Sequence, residues 1–313
     1  MSKSSSYKIE SEFLEDQVEK DVANYLGYIS RLFGPRFRLL QVDEAITGAD
    51  GQFNWSGKAF YLQFKKPTGL KNPAVAAIPN VPRKNESELQ NIRRFRQAQS
   101  LADSPYSLCF ELRRKAKTAT EFQHNVLLSY ENPPASRALY VCPTAFTRAD
   151  YEQAIGGGFL WRFFGRFFEA PFTFADYEIV SNHVRHQVQS APFLRGHAAI
   201  VPHTKVTTAD HWYSFSIHGS DIAFHSPEVV RRGVSRLSDF ISEEIAAART
   251  FDSLLPLDRL VASLREKANR WAGDTLANEE EGLDWLQAHG RMLRQQHGIR
   301  QMVVLVAQEK TGG

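Results

Sequence analysis

The chain has 313 residues, of which 42% are hydrophobic and 23% are charged, which fits a folded protein larger than one ordinary domain and argues against long disorder. Its net charge of +3 does not by itself indicate nucleic-acid binding. Cys109 and Cys142 lie in apolar, strand-like runs, so we expect buried reduced thiols in a cytoplasmic protein. The chain has no apolar run long enough for a membrane span, so we expect no membrane association.

The first elements alternate between a helical and an extended pattern. Apolar residues at helical spacing predict a helix over residues 11–32. Turn residues around Asp50 and a polar Ser-Gly-Lys triplet at 56–58 then divide three short apolar segments. We therefore predict a three-stranded meander with strands at residues 37–42, 52–55 and 59–64.

The rest of the chain continues this alternation, which is typical of an α/β fold. We predict a loop at 67–83, a helix at 86–101 and strands at 106–112 and 138–141, which close a first domain at residues 1–150. Residues 151–313 are expected to form an α+β accessory domain. Its predicted elements are helices at 229–247, 257–271 and 280–297 and a last strand at 301–306 that rejoins a sheet.

Charge is unevenly distributed in the first domain. Residues 58–117 contain 13 Lys and Arg against 4 Asp and Glu, whereas residues 1–57 contain 6 basic against 9 acidic residues. An acidic segment followed by a basic one is typical of a metal pocket beside a phosphate-binding surface, although basic residues also cover ordinary solvated faces.

Three residues have the chemistry for phosphodiester hydrolysis. A divalent cation needs converging oxygen ligands, and water must be positioned or activated beside it. Asp50 opens the second predicted strand, and Gln63 and Lys65 lie two residues apart near the end of the third. Because side chains alternate along a strand, we expect Gln63 and Lys65 to share one face.

This arrangement resembles the PD-(D/E)xK nuclease superfamily, whose restriction-endonuclease-like core has a helix followed by a meander with an acidic residue and an E-x-K or Q-x-K tripeptide. The resembling segments are Gly48-Ala49-Asp50-Gly51 and Gln63-Phe64-Lys65, and Glu15 in the first helix is similar to a further acidic residue of that group. Glu15 also keeps step with Val18 and Val22, so we expect it to be buried and to face the metal.

The resemblance implies an Mg²⁺ or Mn²⁺ ion held by Asp50, the Gln63 side chain, Glu15 and the backbone carbonyl of Phe64. Lys65 would orient or help to deprotonate the attacking water. The implied activity is metal-dependent cleavage of DNA, in a restriction or anti-phage setting. Gln63 departs from the commoner Glu and removes one negative charge from the site, so a non-catalytic protein that keeps the nuclease fold for binding or scaffolding is the alternative.

Basic residues around this core are candidate phosphate contacts, and the arginines of the second helix are expected to lie off its apolar face. The candidates are Lys66, Lys71, Arg83, Lys84, Arg93, Arg94 and Arg96. A second basic cluster, Arg113, Arg114, Lys115 and Lys117, follows a strand and is interpreted as a general electrostatic surface.

Residues 151–235 suggest two further roles. Seven of the ten histidines lie here (His183, His186, His197, His203, His211, His218 and His225), which raises a histidine-metal hydrolase as a third hypothesis. No carboxylate or cysteine accompanies them at metal-ligand spacing, so structural roles are favoured. The aromatic run at 159–174 is typical of a core or of an interface, and a protein partner or a homo-oligomer would bind through residues 151–313.

Overall fold

The structure is a computed structural model of the chain. It describes residues 7–30, 37–41, 54–77, 87–115, 119–151, 177–181, 184–188, 192–208, 210–217, 221–225, 228–230, 235–249, 253–272 and 282–308. Within these ranges it contains the helices α1 (Glu15–Ser30), α2 (Ser87–Ala98), α3 (Gln123–Ser129), α4 (Pro192–Arg195), α5 (Leu237–Arg249), α6 (Leu257–Ala272) and α7 (Gly282–His297). No helix in the described part of the chain is both long and apolar enough to cross a membrane.

The strands form two large sheets and one hairpin. They are β1 (Lys8–Ile9), β2 (Phe37–Gln41), β3 (Asn54–Phe64), β4 (Thr68–Lys71), β5 (Tyr106–Glu111), β6 (Ser136–Pro143), β7 (Tyr177–Ser181), β8 (Val184–Val188), β9 (His197–Ile200), β10 (Trp212–Ser216), β11 (Ile222–Phe224), β12 (Glu228–Val230), β13 (Ser235–Arg236), β14 (Leu255–Pro256) and β15 (Arg300–Gln308). The seven-stranded sheet contains a parallel pair, the six-stranded sheet is antiparallel, and their combination with helices confirms the predicted α/β class.

The seven-stranded sheet is built around β3. Its order is β13-β9-β6-β3-β15-β2, and β14 also pairs with β3. β3 runs parallel to β6 and antiparallel to β15, and its last residues, Gln63 and Phe64, lie opposite Tyr140 and Val141. β6 therefore flanks β3 to its carboxyl end, whereas β15 pairs with β3 only as far as Leu62.

The six-stranded sheet, ordered β1-β4-β5-β10-β11-β12, packs against one face of the first. Phe110 and Tyr213 from this sheet share a buried cluster with Tyr61 and Tyr140 from the other, and α3, α6 and α7 complete that cluster. On the opposite face of β3, Phe60, Leu62 and Phe64 pack against α1 and α5. The alternating sides of β3 thus face two different cores, as the period of a strand requires.

Residues 54–64 form one uninterrupted strand, so the predicted turn at 56–58 is wrong. A Cβ atom on Gly57 would lie 2.8 Å from both Leu305 Cδ2 and the Val304 carbonyl oxygen. Glycine is therefore needed here for the close approach of β15 and not for a turn. Lys58, the third residue of the triplet, is buried within the strand.

The predicted meander is also wrong, because β15 lies between β2 and β3 and pairs with both. The last strand does rejoin a sheet, as predicted. Both large sheets contain strands from before and from after residue 150, so the predicted division into residues 1–150 and 151–313 does not coincide with a boundary between sheets.

Two other segments differ from the predicted elements. Residues 68–71 of the predicted loop form β4, which pairs with β1 and β5. The predicted helix at 229–247 begins only at Leu237, because residues 228–230 and 235–236 pair as the strands β12 and β13. Both segments are short, and neighbouring strands supply most of the backbone hydrogen bonds that keep them extended.

A candidate metal and phosphate site at the carboxyl end of β3

Gln63 and Lys65 are buried together where the two sheets meet. Gln63 continues the row of Ala59 and Tyr61 toward the inter-sheet core, and it is 6% exposed. Lys65 follows the strand, is 4% exposed, and its backbone amide donates to the Val141 carbonyl at 2.9 Å. A buried amide and a buried amine within three residues are unusual in an otherwise apolar strand, which marks this end of β3 as a polar site.

The Gln63 amide contacts a second predicted ligand. Its Nε2 donates to the Phe64 carbonyl oxygen at 3.1 Å, while Oε1 is buried and has no hydrogen-bond partner among the described residues. A buried acceptor without a donor costs about 1–3 kcal/mol, so this oxygen is expected to serve a ligand.

The environment of Lys65 brings further charges to this place. Burial lowers the pKa of Lys65 from its ordinary value, the Glu15 carboxylate raises it in part, and the Arg113 guanidinium lowers it again. Cys142 and Glu111 contribute smaller effects that raise it. The Lys65 amine is thus partly desolvated and lies near the start of α1 and the end of β5.

Glu15 lies beside the site but is not buried. It is the first residue of α1, its side chain is exposed, and its Oε1 accepts a hydrogen bond from the Lys66 backbone amide at 3.4 Å. Val18 and Val22 are buried as expected, whereas Glu15 lies one turn earlier, where the helix passes the edge of the sheet. The expectation of a buried Glu15 is wrong, although its position beside Lys65 and Lys66 agrees with a role at the site.

The described residues fit part of a divalent-metal site. Amide, carbonyl and carboxylate oxygens are the ligands that Mg²⁺ and Mn²⁺ accept, and Gln63, Phe64 and Glu15 supply one of each. Asp50, the fourth predicted ligand, lies outside the described residues. The described ranges contain no group of three or more His, Cys, Asp or Glu side chains that could hold a metal, so a complete site would depend on Asp50 and on the two uncharged oxygens.

The predicted phosphate contacts differ in their exposure to solvent. Lys66 and Arg94 are exposed, and Lys71 is half-buried. Arg83 and Lys84 lie outside the described residues. Arg93 and Arg96 are buried, at 2% and 0% exposure.

Arg93 and Arg96 hold α2 against the rest of the protein. Arg93 donates to the carbonyls of Lys71 and Ala76, and Arg96 donates to Ser214 Oγ and to two backbone carbonyls. They lie four residues after buried Leu89 and Ile92, respectively, and so belong to the buried face of the helix. Their guanidinium groups are already engaged inside the protein, which argues against the predicted phosphate contacts.

We expect Arg96→Met to lower the free energy of unfolding by about 1–3 kcal/mol, because Ser214 and the carbonyls of Ala102 and Asp221 lose their donor. Arg94→Met, on the exposed side of the same helix, should change it by less than about 0.5 kcal/mol. Urea denaturation of both variants measures the difference. Equal stability of the two variants would contradict the structural role of Arg96.

The histidines of residues 183–225 do not converge on a metal in the described part of the chain. His203 Nδ1 bonds the Tyr213 hydroxyl at 3.0 Å, and His225 Nε2 bonds Ser214 Oγ at 3.0 Å. His211 bonds Thr208 and the His225 carbonyl. His183, His218 and the aromatic run at 159–174 lie outside the described residues. These bonds are typical of a structural polar network, which agrees with the favoured reading.

Charged residues at the end of β5 also lie near Lys65, although their sequence pattern indicated only a general electrostatic surface. Glu111 ends this strand, Arg113 follows two residues later, and both act on the Lys65 amine. The signal was a cluster of cations directly after a strand, but only the pairing of β4 with β5 shows that this strand ends beside Lys65 and Lys66.

Comparisons of the chain with protein-family models, curated proteins and solved structures find no match.

Proposed function

We propose that the protein is a metal-dependent nuclease that hydrolyses DNA phosphodiester bonds at the carboxyl end of β3. The observation that carries the proposal is the buried Gln63 Oε1, which has no donor among the described residues and belongs to an amide in contact with the Phe64 carbonyl. Buried, partly desolvated Lys65 lies two residues further along the chain.

Each of these groups has a role in the proposed reaction. Gln63 Oε1 and the Phe64 carbonyl would bind an Mg²⁺ or Mn²⁺ ion together with Asp50 and Glu15, and the ion would stabilise charge on the scissile phosphate. Lys65 would orient the attacking water and help to remove its proton. Nearby exposed cations would hold the DNA backbone in place.

The test is cleavage of supercoiled plasmid and of linear DNA by the purified chain with Mg²⁺, Mn²⁺ or EDTA. We expect cleavage in Mg²⁺ or Mn²⁺, none in EDTA, and a cleavage rate at least about 100-fold lower in Asp50→Ala, which removes one of the two carboxylates of the proposed metal site. Unchanged cleavage by Asp50→Ala would overturn the assignment. DNA binding with neither metal binding nor cleavage would instead favour the non-catalytic alternative, because the neutral Gln63 side chain removes one negative charge from the metal site.

A further inference from the structure

Arg113 lies at the same end of β3 as the proposed metal site. Arg300, the first residue of β15, pairs with Leu62, and Gly298 precedes it by two residues, so Gly298 lies beside the end of β3 that carries Gln63 and Phe64. A Cβ atom on Gly298 would lie 3.3 Å from Arg113 Nη1 and 3.7 Å from Gln123 Nε2. The guanidinium group therefore contacts the turn next to the site.

Arg113 is also available to bind an anion. Its side chain is exposed, and no carboxylate among the described residues lies within ion-pairing distance of it. Its charge acts on neighbouring groups: burial lowers the pKa of His297, and the Arg113 guanidinium lowers it further. An exposed cation whose charge is not offset by a carboxylate, beside the polar end of β3, favours an anionic ligand there.

The next residues extend this positive edge. Lys115 is exposed, and its ammonium group lies 5.6 Å from the ring centroid of Phe122. Arg114 is less available, since its Nε lies 4.0 Å from a Glu111 carboxylate oxygen. Because Lys115 covers the Phe122 ring, that ring does not offer a free platform on which a base could stack.

We propose that Arg113 and Lys115 form the phosphate-binding edge of the site and contact the backbone of the DNA strand that is cleaved. This inference rests on the proposed function. It assigns the phosphate contacts to Arg113 and Lys115 in place of the buried Arg93 and Arg96. Guanidinium and ammonium groups donate to phosphate oxygens, and such contacts position a strand without reading its sequence. Binding at this edge is therefore independent of DNA sequence and sensitive to salt.

The test is the affinity of the full chain for a short fluorescent duplex DNA, measured by anisotropy in EDTA at several salt concentrations. We expect Arg113→Gln to weaken binding about fivefold or more at about 0.1 M salt and to reduce the slope of log affinity against log salt by about 1. Arg113→Gln/Lys115→Gln should reduce that slope by about 2. Arg259→Gln is the matched control, because Arg259 is an exposed arginine on α6, next to Leu260, which approaches Gly57 in the first half of β3.

The outcomes separate this inference from the proposed function. Loss of affinity in the Arg113 variants but not in Arg259→Gln supports the phosphate-binding edge, even if the wild type does not cleave DNA. If both Arg113 variants keep the wild-type affinity and salt slope, the proposed phosphate-binding edge is overturned, and the cleavage assay still decides the function. Equal losses in Arg113→Gln and Arg259→Gln also overturn the edge, because they indicate a general effect of net charge. Absence of any DNA binding by the wild type overturns the phosphate-binding edge, and the cleavage assay with Mg²⁺ or Mn²⁺ then decides the proposed function.

Discussion

Replacing Lys65 with methionine should reduce metal-dependent DNA cleavage at least about 100-fold, the usual contribution of a positioned acid or base. Methionine is similar in length to lysine and is apolar, so it fills the buried position but can neither orient nor deprotonate water. Initial cleavage rates of plasmid DNA at saturating Mg²⁺ measure the effect. Lys20→Met is the matched control, because Lys20 is an exposed lysine of α1 that has no role in the proposed site.

The same Lys65 variant should be no less stable than the wild type, and its thermal midpoint should rise. Burial of the Lys65 amine disfavours its charged form, as the lowered pKa shows, and methionine removes that cost. Functional residues are often placed where they destabilise the fold, so a loss of activity with a gain in stability distinguishes a functional lysine from a structural one. A clear fall in the thermal midpoint would contradict the assignment, as would cleavage equal to that of Lys20→Met.

The elements that the sequence predicted best are the long amphipathic helices. The predicted helices at 257–271 and 280–297 correspond to Leu257–Ala272 and Gly282–His297, because many apolar residues repeat at helical spacing in each. The C-terminal strand was also predicted, from a continuous apolar run that is now buried on both faces. What periodicity lacks is information about neighbours, so the insertion of β15 between β2 and β3 could not be predicted.

The segment around Gly57 shows why local signals failed within the sheet. A Ser-Gly-Lys triplet is typical of a tight turn, but here Gly57 and Lys58 each have a reason to lie in a strand that only long-range packing provides. Gly57 allows the close approach of Leu305 and Val304, and Lys58 binds a carboxylate 186 residues away in the chain. Tertiary contacts therefore decided the conformation against the local propensity.

At the candidate site, strand alternation predicted that Gln63 and Lys65 would lie together, and both are buried at the end of β3. The helical residues were less predictable. Glu15 has the spacing of a buried residue but lies in the first turn, beyond the sheet. Arg96 has the spacing of a buried residue and is buried, since nearby carbonyls satisfy its donors. Spacing alone does not show whether a charged group at a core position finds partners or reaches solvent.

A second large effect is expected at Glu244, which links α5 to the central strands on the side of β3 opposite Gln63. Glu244 is 8% exposed. One carboxylate oxygen accepts from Lys58 Nζ at 2.6 Å and the other from Arg137 Nη1 at 2.5 Å. Lys58 is buried and has no other carboxylate within ion-pairing distance among the described residues, whereas Arg137 also pairs with Glu131 at 2.8 Å.

We expect Glu244→Gln to lower the free energy of unfolding by about 3–5 kcal/mol, because it leaves the buried Lys58 ammonium without a counter-charge. Glu266→Gln is the control: its pair with Arg270 is equally short, at 2.6 Å, but both side chains are more than half exposed, so the change should stay below about 1 kcal/mol. Urea denaturation measures both variants. Comparable losses would contradict the role of burial.

The double variant Lys58→Met/Glu244→Leu decides between two explanations of that loss. If the cost of Glu244→Gln comes from an uncompensated buried charge, removing both charges should recover most of the lost stability, since apolar residues can replace a buried ion pair at little cost. If the ion pair itself provides the attraction that holds α5 on β3, the double variant should remain as unstable as the single one. The first result is expected, because the rings of Phe60 on β3 and Phe240 on α5 pack edge to face with their centroids 6.1 Å apart. This contact would hold α5 in place without the charges.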